Sequence, residues 1–240
     1  MKKLLLPGLV LAFSLLSFSV RASFFSDADA FLKANVSPSG GVYYEEIKKD
    51  PAALNGLVKQ IANYNYKAAD TKTKKAFLII AYNILTIKNV VDIYPMSLPT
   101  CVNGFFDKKK FNVAGTQMTL SDIENKKIRP TFKDSRTHFA LVCAAKSCPP
   151  LANYAYMPAK VEAQLDAVTK KALNNRNFIR VSSDKKSVQY SEIFNWYKDD
   201  FLAEAGSILE YINKYRTTAI PSSYSQGSYT YNWNLNVKKK

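Results

Sequence analysis

Histidine is nearly absent from this chain: of 240 residues only one, His138, is a histidine. Any mechanism that needs an imidazole must use it. Cysteine is scarce too. Cys101, Cys143 and Cys148 are the three present, and the C-x4-C spacing of the last two lacks the tight C-x2-C pair of a structural zinc site. No glycine-rich phosphate loop and no G-x-S-x-G elbow occurs, so dinucleotide and ordinary serine-hydrolase readings fall away. Acidic residues are few, 19 against 34 Lys and Arg, for a formal net charge of +15. The excess sits in short lysine runs, such as Lys108 to Lys110, Lys126-Lys127 and Lys238 to Lys240. These read as solvated faces, since a bidentate phosphate reader favours Arg. Nucleic acid is therefore not an expected partner, whereas weak binding to anionic envelope polymers is. No cofactor and no metal is expected.

What is present begins with residues 1–22. Lys2 and Lys3 precede an apolar run from Leu4 to Val20, and Val20-Arg21-Ala22 supplies small residues at the cleavage positions of a secretory signal. The expectation is cleavage near Ala22 and export to the periplasm or the cell exterior. No later segment reaches the roughly 18 uninterrupted apolar residues of a membrane span, so the protein is not expected to span one. In an oxidising compartment three cysteines allow at most one internal disulfide, and all three pairings are open.

Periodicity predicts a single α+β domain with a central apolar helix, several surrounding helices and a small, mostly antiparallel sheet. Residues 23–69 read as an N-terminal helical segment packed on that domain, which runs over 70–236, with a basic tail at 237–240. Ser26-Asp27 caps a short helix, and Asp50-Pro51 opens another with Leu54, Leu57, Val58 and Ile61 on one face. Asp70 caps the longest candidate, Thr71 to about Val91, with Lys72, Lys74 and Lys75 solvated at its start. A hairpin over Phe111 to Thr119 leads into a helix from Leu120 that stops at Pro130. Pro158 starts a helix bearing Val161, Leu165, Val168 and Ala172. Phe178 to Val181 and Ser187 to Tyr190 form a second hairpin. Ser191 caps an aromatic helix over SEIFNWYKDDF, and Ile208, Leu209, Ile212 and Tyr215 mark another. Tyr229, Tyr231, Trp233 and Leu235 alternate with polar residues as a half-buried final strand.

The densest chemistry lies in THFALVCAAKSCPPL, Thr137 to Leu151, which places His138 within ten residues of Cys143 and Cys148. THFALVC reads as a buried strand. Side chains alternate faces on a strand, so His138 and Cys143 would point apart, and Cys148, in the following loop, would fold back toward the imidazole. Lys146 and the loop N–H groups would lower its pKa.

Together AFLIIAYNILTIK (Ala76 to Lys88), TLSDIENKKIRP (Thr119 to Pro130), DSRTHFALVCAAKSCPPL (Asp134 to Leu151), SEIFNWYKDDF (Ser191 to Phe201) and YNWNLN (Tyr231 to Asn236) resemble the domain of unknown function 547 family, whose members include exported bacterial proteins. The resemblance implies a set of co-occurring polar residues: Asn83, Glu124, Arg129, His138, Cys143 and Cys148. It also marks a departure, because the family's W-I-N-A-Y-N reads here Leu78-Ile79-Ile80-Ala81-Tyr82-Asn83, with Ile80 in place of an amide. If that amide holds a substrate, activity is altered; if it is a core hydrogen-bond partner, Ile80 trades polarity for packing.

Two function classes follow. In the first, a cysteine-dependent hydrolase or acyl transferase acts on an amide or thioester in the envelope, such as a peptide or cell-wall material. Cys148 is the nucleophile, His138 the base, and Glu124 or Asn83 orients the imidazole; Arg129, Lys146 and Ser147 contact substrate. In the second, the chain is a non-enzymatic envelope-binding or scaffold module with a basic surface and structural cysteines.

Overall fold

The computed structural model describes residues 23–66 and 68–240. The expected signal segment, residues 1–22, lies outside the described residues. Three helices lead in: α1 (Phe24–Asn35), α2 (Tyr44–Lys49) and α3 (Ala52–Asn63). The α1 cap is Ser23, three residues before the expected Ser26; the Ser23 hydroxyl accepts the Ser26 N–H. The predicted apolar face of α3 is buried through Leu54, Leu57 and Ile61.

Helix α4 (Thr71–Ile93) is the predicted central helix, two residues longer than expected. Asp70 caps it by accepting the Thr73 N–H at 3.0 Å. Its buried residues run continuously from Lys75 to Ile87, so every face is covered. By length and composition α4 also meets the measure of a membrane span, with 83% of that window buried inside the protein. One residue at its start departs from expectation: Lys75 is buried, not solvated, and its ammonium pairs with Asp134 and Glu162, each at 2.8 Å. Arg136 closes the same network on Asp134, Glu162 and Asp166. Clustering compensates these charges where none could be buried alone.

The first hairpin is β1 (Phe111–Val113) with β2 (Thr116–Met118), turning at Ala114-Gly115. The next helix does not stop at Pro130. Thr119 and Asp122 form a capping box for α5 (Leu120–Asp122), a π-helical segment spans Ile123–Ile128, and α6 continues over Arg129–Phe132. A proline ring clashes with the carbonyl four residues back in a regular helix. The wider π turn, in which the Arg129 N–H reaches the Glu124 carbonyl, relieves that constraint immediately before Pro130.

The largest correction concerns the expected His strand. Ser135–Phe139 is a 3-10 helix, and residues 140–148 follow as turns without strand pairing of their own except one bridge from Ala145 to Leu235. Strand parity therefore does not apply to His138 and Cys143. Helix α7 (Val161–Leu173) leads to the hairpin of β3 (Ile179–Ser182) and β4 (Ser187–Tyr190). A short β5 (Ser225–Ser228) joins β4 in parallel, giving two small sheets that are mostly antiparallel. The α+β expectation with a central apolar helix holds. The aromatic segment breaks at Tyr197 into α8 (Ile193–Trp196) and α9 (Lys198–Leu202), and α10 (Ile208–Tyr215) follows.

The expected final strand is an extended segment without a full ladder. Its alternation survives as burial: Tyr229, Tyr231 and Leu235 are inside, Thr230, Asn232 and Asn234 outside. The Lys146 and Ser147 N–H groups donate to Asn234 and Asn232 carbonyls, and Lys238 donates to Val42. The chain end thus clasps both the cysteine loop and the N-terminal segment.

Candidate functional site

A cavity of about 200 Å³ lies where α4, the π segment, the 3-10 helix, the cysteine loop, α8 and the C-terminal segment meet. Tyr82, Glu124, His138, Cys143, Cys148 and Tyr231 contribute to its wall, with Trp196 and Trp233 among the aromatic residues around them. Three of the expected site residues, Glu124, His138 and Cys148, are therefore brought together. The others are not.

Cys148 is bonded to Cys143, which settles the pairing left open by sequence and leaves Cys101 as an exposed free thiol. In this state Cys148 is no nucleophile, a correction to its expected role as a free thiol, and Cys143 does not face away from it. Two donors are aimed at the Cys148 sulfur: the Cys143 N–H at 3.0 Å and the Tyr231 hydroxyl at 3.2 Å. Such donors stabilise negative charge on sulfur once the bond is opened.

His138 is oriented by a residue that sequence reasoning passed over. Its Nε2 lies 2.8 Å from Asp200 Oδ2, on α9, and its ring stacks on Tyr197 with centroids 3.9 Å apart. Asp200 is pulled well below the usual carboxylate range, first by the hydrogen bond to His138 and then by Arg129, with burial working against them. An ionised Asp200 only accepts, so Nε2 carries a proton, and in the neutral form of the ring the acceptor is Nδ1. Arg129, expected on substrate, instead fixes Asp200 through Nε at 2.7 Å and Nη2 at 3.1 Å, and its Nη1 donates to Asn125 at 2.8 Å. Its guanidinium also feels the Glu124 charge, though the two form no salt bridge. Asp200 lies within the motif SEIFNWYKDDF, but no spacing signal connects it with His138, 62 residues earlier.

Asn83 does not touch the imidazole. Its amide donates to the Ala140 carbonyl at 2.9 Å and accepts the Val142 N–H at 3.0 Å, so it brackets the backbone between His138 and Cys143. Asn83 positions the segment; it does not orient the ring. Ile80 is in the core at 1% exposure and does not line the cavity, which favours its reading as packing. Ser147 is engaged with the C-terminal segment, its hydroxyl accepting the Asn232 N–H at 2.8 Å. Lys146 is exposed beside another cleft, which Cys148 also lines, and neither it nor Ser147 lines the cavity around His138.

Glu124 is 8% exposed, and the buried Tyr82 and half-buried Tyr197 hydroxyls lie beside its carboxylate. Burial, and then the Glu124 charge, push both phenols upward, so they remain protonated donors at neutral pH. Among the described residues no three His, Cys, Asp or Glu side chains group as metal ligands.

Residues 66–172 match a family model described as "Protein of unknown function, DUF547". This span belongs to DUF547. It holds Tyr82, Asn83, Glu124, Arg129, His138 and both bonded cysteines, whereas Trp196, Tyr197, Asp200, Tyr231 and Trp233 come from beyond it. The DUF547 span supplies the imidazole and the sulfurs, and the C-terminal third supplies the carboxylate that orients one and the hydroxyl that contacts the other. No curated protein and no solved structure matches the chain.

Proposed function

We propose that the cavity is the site of a thiol-dependent hydrolase or acyl transferase whose nucleophile, Cys148, is masked by its bond to Cys143. The observation that carries this reading is the Asp200–His138 pair: a held, ionised carboxylate fixes the imidazole tautomer in a cavity shared with the Cys148 sulfur. A dithiol reductant would convert the disulfide to two thiols and leave as its own disulfide. His138 Nδ1 would then take the Cys148 proton as the sulfur attacks a carbonyl carbon, and return it to the departing amine or thiol. Water or a second nucleophile would release the acyl group. Glu124 and Asn83 no longer orient the imidazole in this scheme; Asp200 does. An exported setting, supported by the leader-like residues 1–22, suits a protein whose thiols are gated by oxidation, with an amide or thioester of the envelope as substrate.

Hydrolysis of an uncharged thioester should appear only after treatment with dithiothreitol and disappear in Cys148→Ala. Asp200→Asn should lower kcat by about 10²-fold with the melting transition retained. Hydrolysis indifferent to Cys148→Ala, or a reduced Cys148 inert to iodoacetamide near neutral pH, would overturn the proposal. The Cys143–Cys148 bond also favours a second reading, a binding module with a structural disulfide. In that case ligand retention would survive replacement of both cysteines by serine.

A further inference from the structure

Glu124 sits in the cavity without a counter-ion. Among the described residues no Lys, Arg or His nitrogen lies within ion-pair distance of its carboxylate, although it is more than nine-tenths buried. Arg129, five positions along, is committed to Asp200 and Asn125. The Tyr82 and Tyr197 hydroxyls beside it are neutral donors, and the Arg129 charge reaches it only from beyond salt-bridge distance, so no cation is in direct contact with the carboxylate. A cation entering the cavity would supply that contact.

The walls suit such a cation. Trp196 and Trp233 stack with centroids 5.6 Å apart, and Tyr231 lies 4.8 Å from the first and 4.7 Å from the second. Trp196, at the edge of the cavity, is 47% exposed, so its ring is accessible to a ligand. The Tyr197 ring is already used, by His138 at 3.9 Å and by the Arg129 guanidinium at 5.0 Å, which leaves Tyr82, Trp196, Tyr231 and Trp233. Aromatic faces of this kind attract ammonium groups, and most strongly where water is displaced. The basic surface of the protein opposes entry from a distance. That field is screened over about 8 Å at physiological salt, so the near carboxylate and rings decide binding.

We propose that this cavity binds an alkylammonium group, with Glu124 as counter-ion and the rings of Trp196, Tyr231 and Trp233 as walls. The proposal rests on the reading of the cavity as the functional site and names its substrate class, an amide or thioester carrying a primary or quaternary ammonium.

The two tryptophans of the chain both line the cavity, so intrinsic fluorescence reports on it directly. Choline and n-butylammonium, titrated at fixed ionic strength into the oxidised full-length protein, test quaternary and primary cations; 3,3-dimethylbutan-1-ol is the uncharged isostere of choline. At least one cation should change the emission saturably and bind at least tenfold more tightly than the alcohol. Glu124→Gln should remove the preference and Trp196→Ala should weaken binding several-fold. Equal binding of the alcohol, no saturable change with either cation, or an unchanged preference in a folded Glu124→Gln would overturn the proposal. Should Glu124→Gln not fold, unaltered cation affinity in Trp196→Ala would overturn it instead. Because binding is read with the thiol chemistry switched off, and hydrolysis with an uncharged thioester, each proposal can fail without the other.

Discussion

Asn83 illustrates how one side chain holds a site without entering it. Both its hydrogen bonds go to backbone groups of the segment 140–142, and all partners are buried. Truncation leaves a carbonyl and an N–H unsatisfied, each costing roughly 1–3 kcal/mol. Asn83→Ala should therefore destabilise the protein by about 2–4 kcal/mol in urea unfolding, and Asn83→Asp should recover little, since a carboxylate cannot donate to the Ala140 carbonyl. Ile80, three positions earlier, is the opposite case: an apolar side chain in an apolar surrounding, with no bearing on the cavity. The residue types of Asn83 and His138 were plain in the sequence. Their partners were not, because Ala140, Val142 and Asp200 are chosen by chain folding over dozens of residues.

At the scale of elements, legibility followed the number of independent local cues. Helix α4 was bounded correctly within two residues because an Asp cap and a long apolar pattern agree. The hairpins were found for the same reason, with turn residues between alternating strands. The His segment is a 3-10 turn where a strand is expected, because a short apolar run is equally a buried turn; Asn83, from α4, brackets its backbone. Pro130 misled in the other direction, since a π turn absorbed it. That distortion has consequences for the site, because Glu124 lies on the π segment and the capping box of Thr119 and Asp122 starts the same run. Thr119 is buried, so Thr119→Ala should cost about 1–2 kcal/mol in thermal or urea unfolding. It should also loosen the placement of Glu124, seen as a weaker response of tryptophan emission to alkylammonium.

Across the whole molecule, a few carboxylates join elements distant in sequence. Asp200 ties α9 to His138 and Arg129, and Asp134 and Glu162 tie α7 and the 3-10 helix to Lys75 of α4. Burial opposes ionisation of Asp134 and Glu162, yet their hydrogen bonds to Arg136 and Lys75 prevail, and Asp134, Glu162 and Asp200 all sit below their ordinary range. A carboxyl with a depressed folded-state pKa binds protons more readily when unfolded. Its stabilisation is complete above the unfolded value near 4 and is lost as pH falls through the folded one. Stability to urea should thus be level from about pH 7 to 5 and fall steeply below about pH 4. Asp200→Asn should make that fall shallower; an unchanged acid slope would show that Asp200 contributes nothing to it.

The sequence by itself determined the elements whose cues are local: capped helices, hairpins, the apolar central helix, and the shortage of histidine that made His138 the single imidazole to follow. Tertiary structure decided which cysteines bond, that Asp200 rather than Glu124 or Asn83 orients His138, and that Glu124 lies among aromatic rings with no salt-bridge partner among the described residues. The physical reason is one of range. Propensity, capping and periodicity act within a few residues, whereas pairing of a charge or a sulfur depends on which surfaces packing brings within a few ångström.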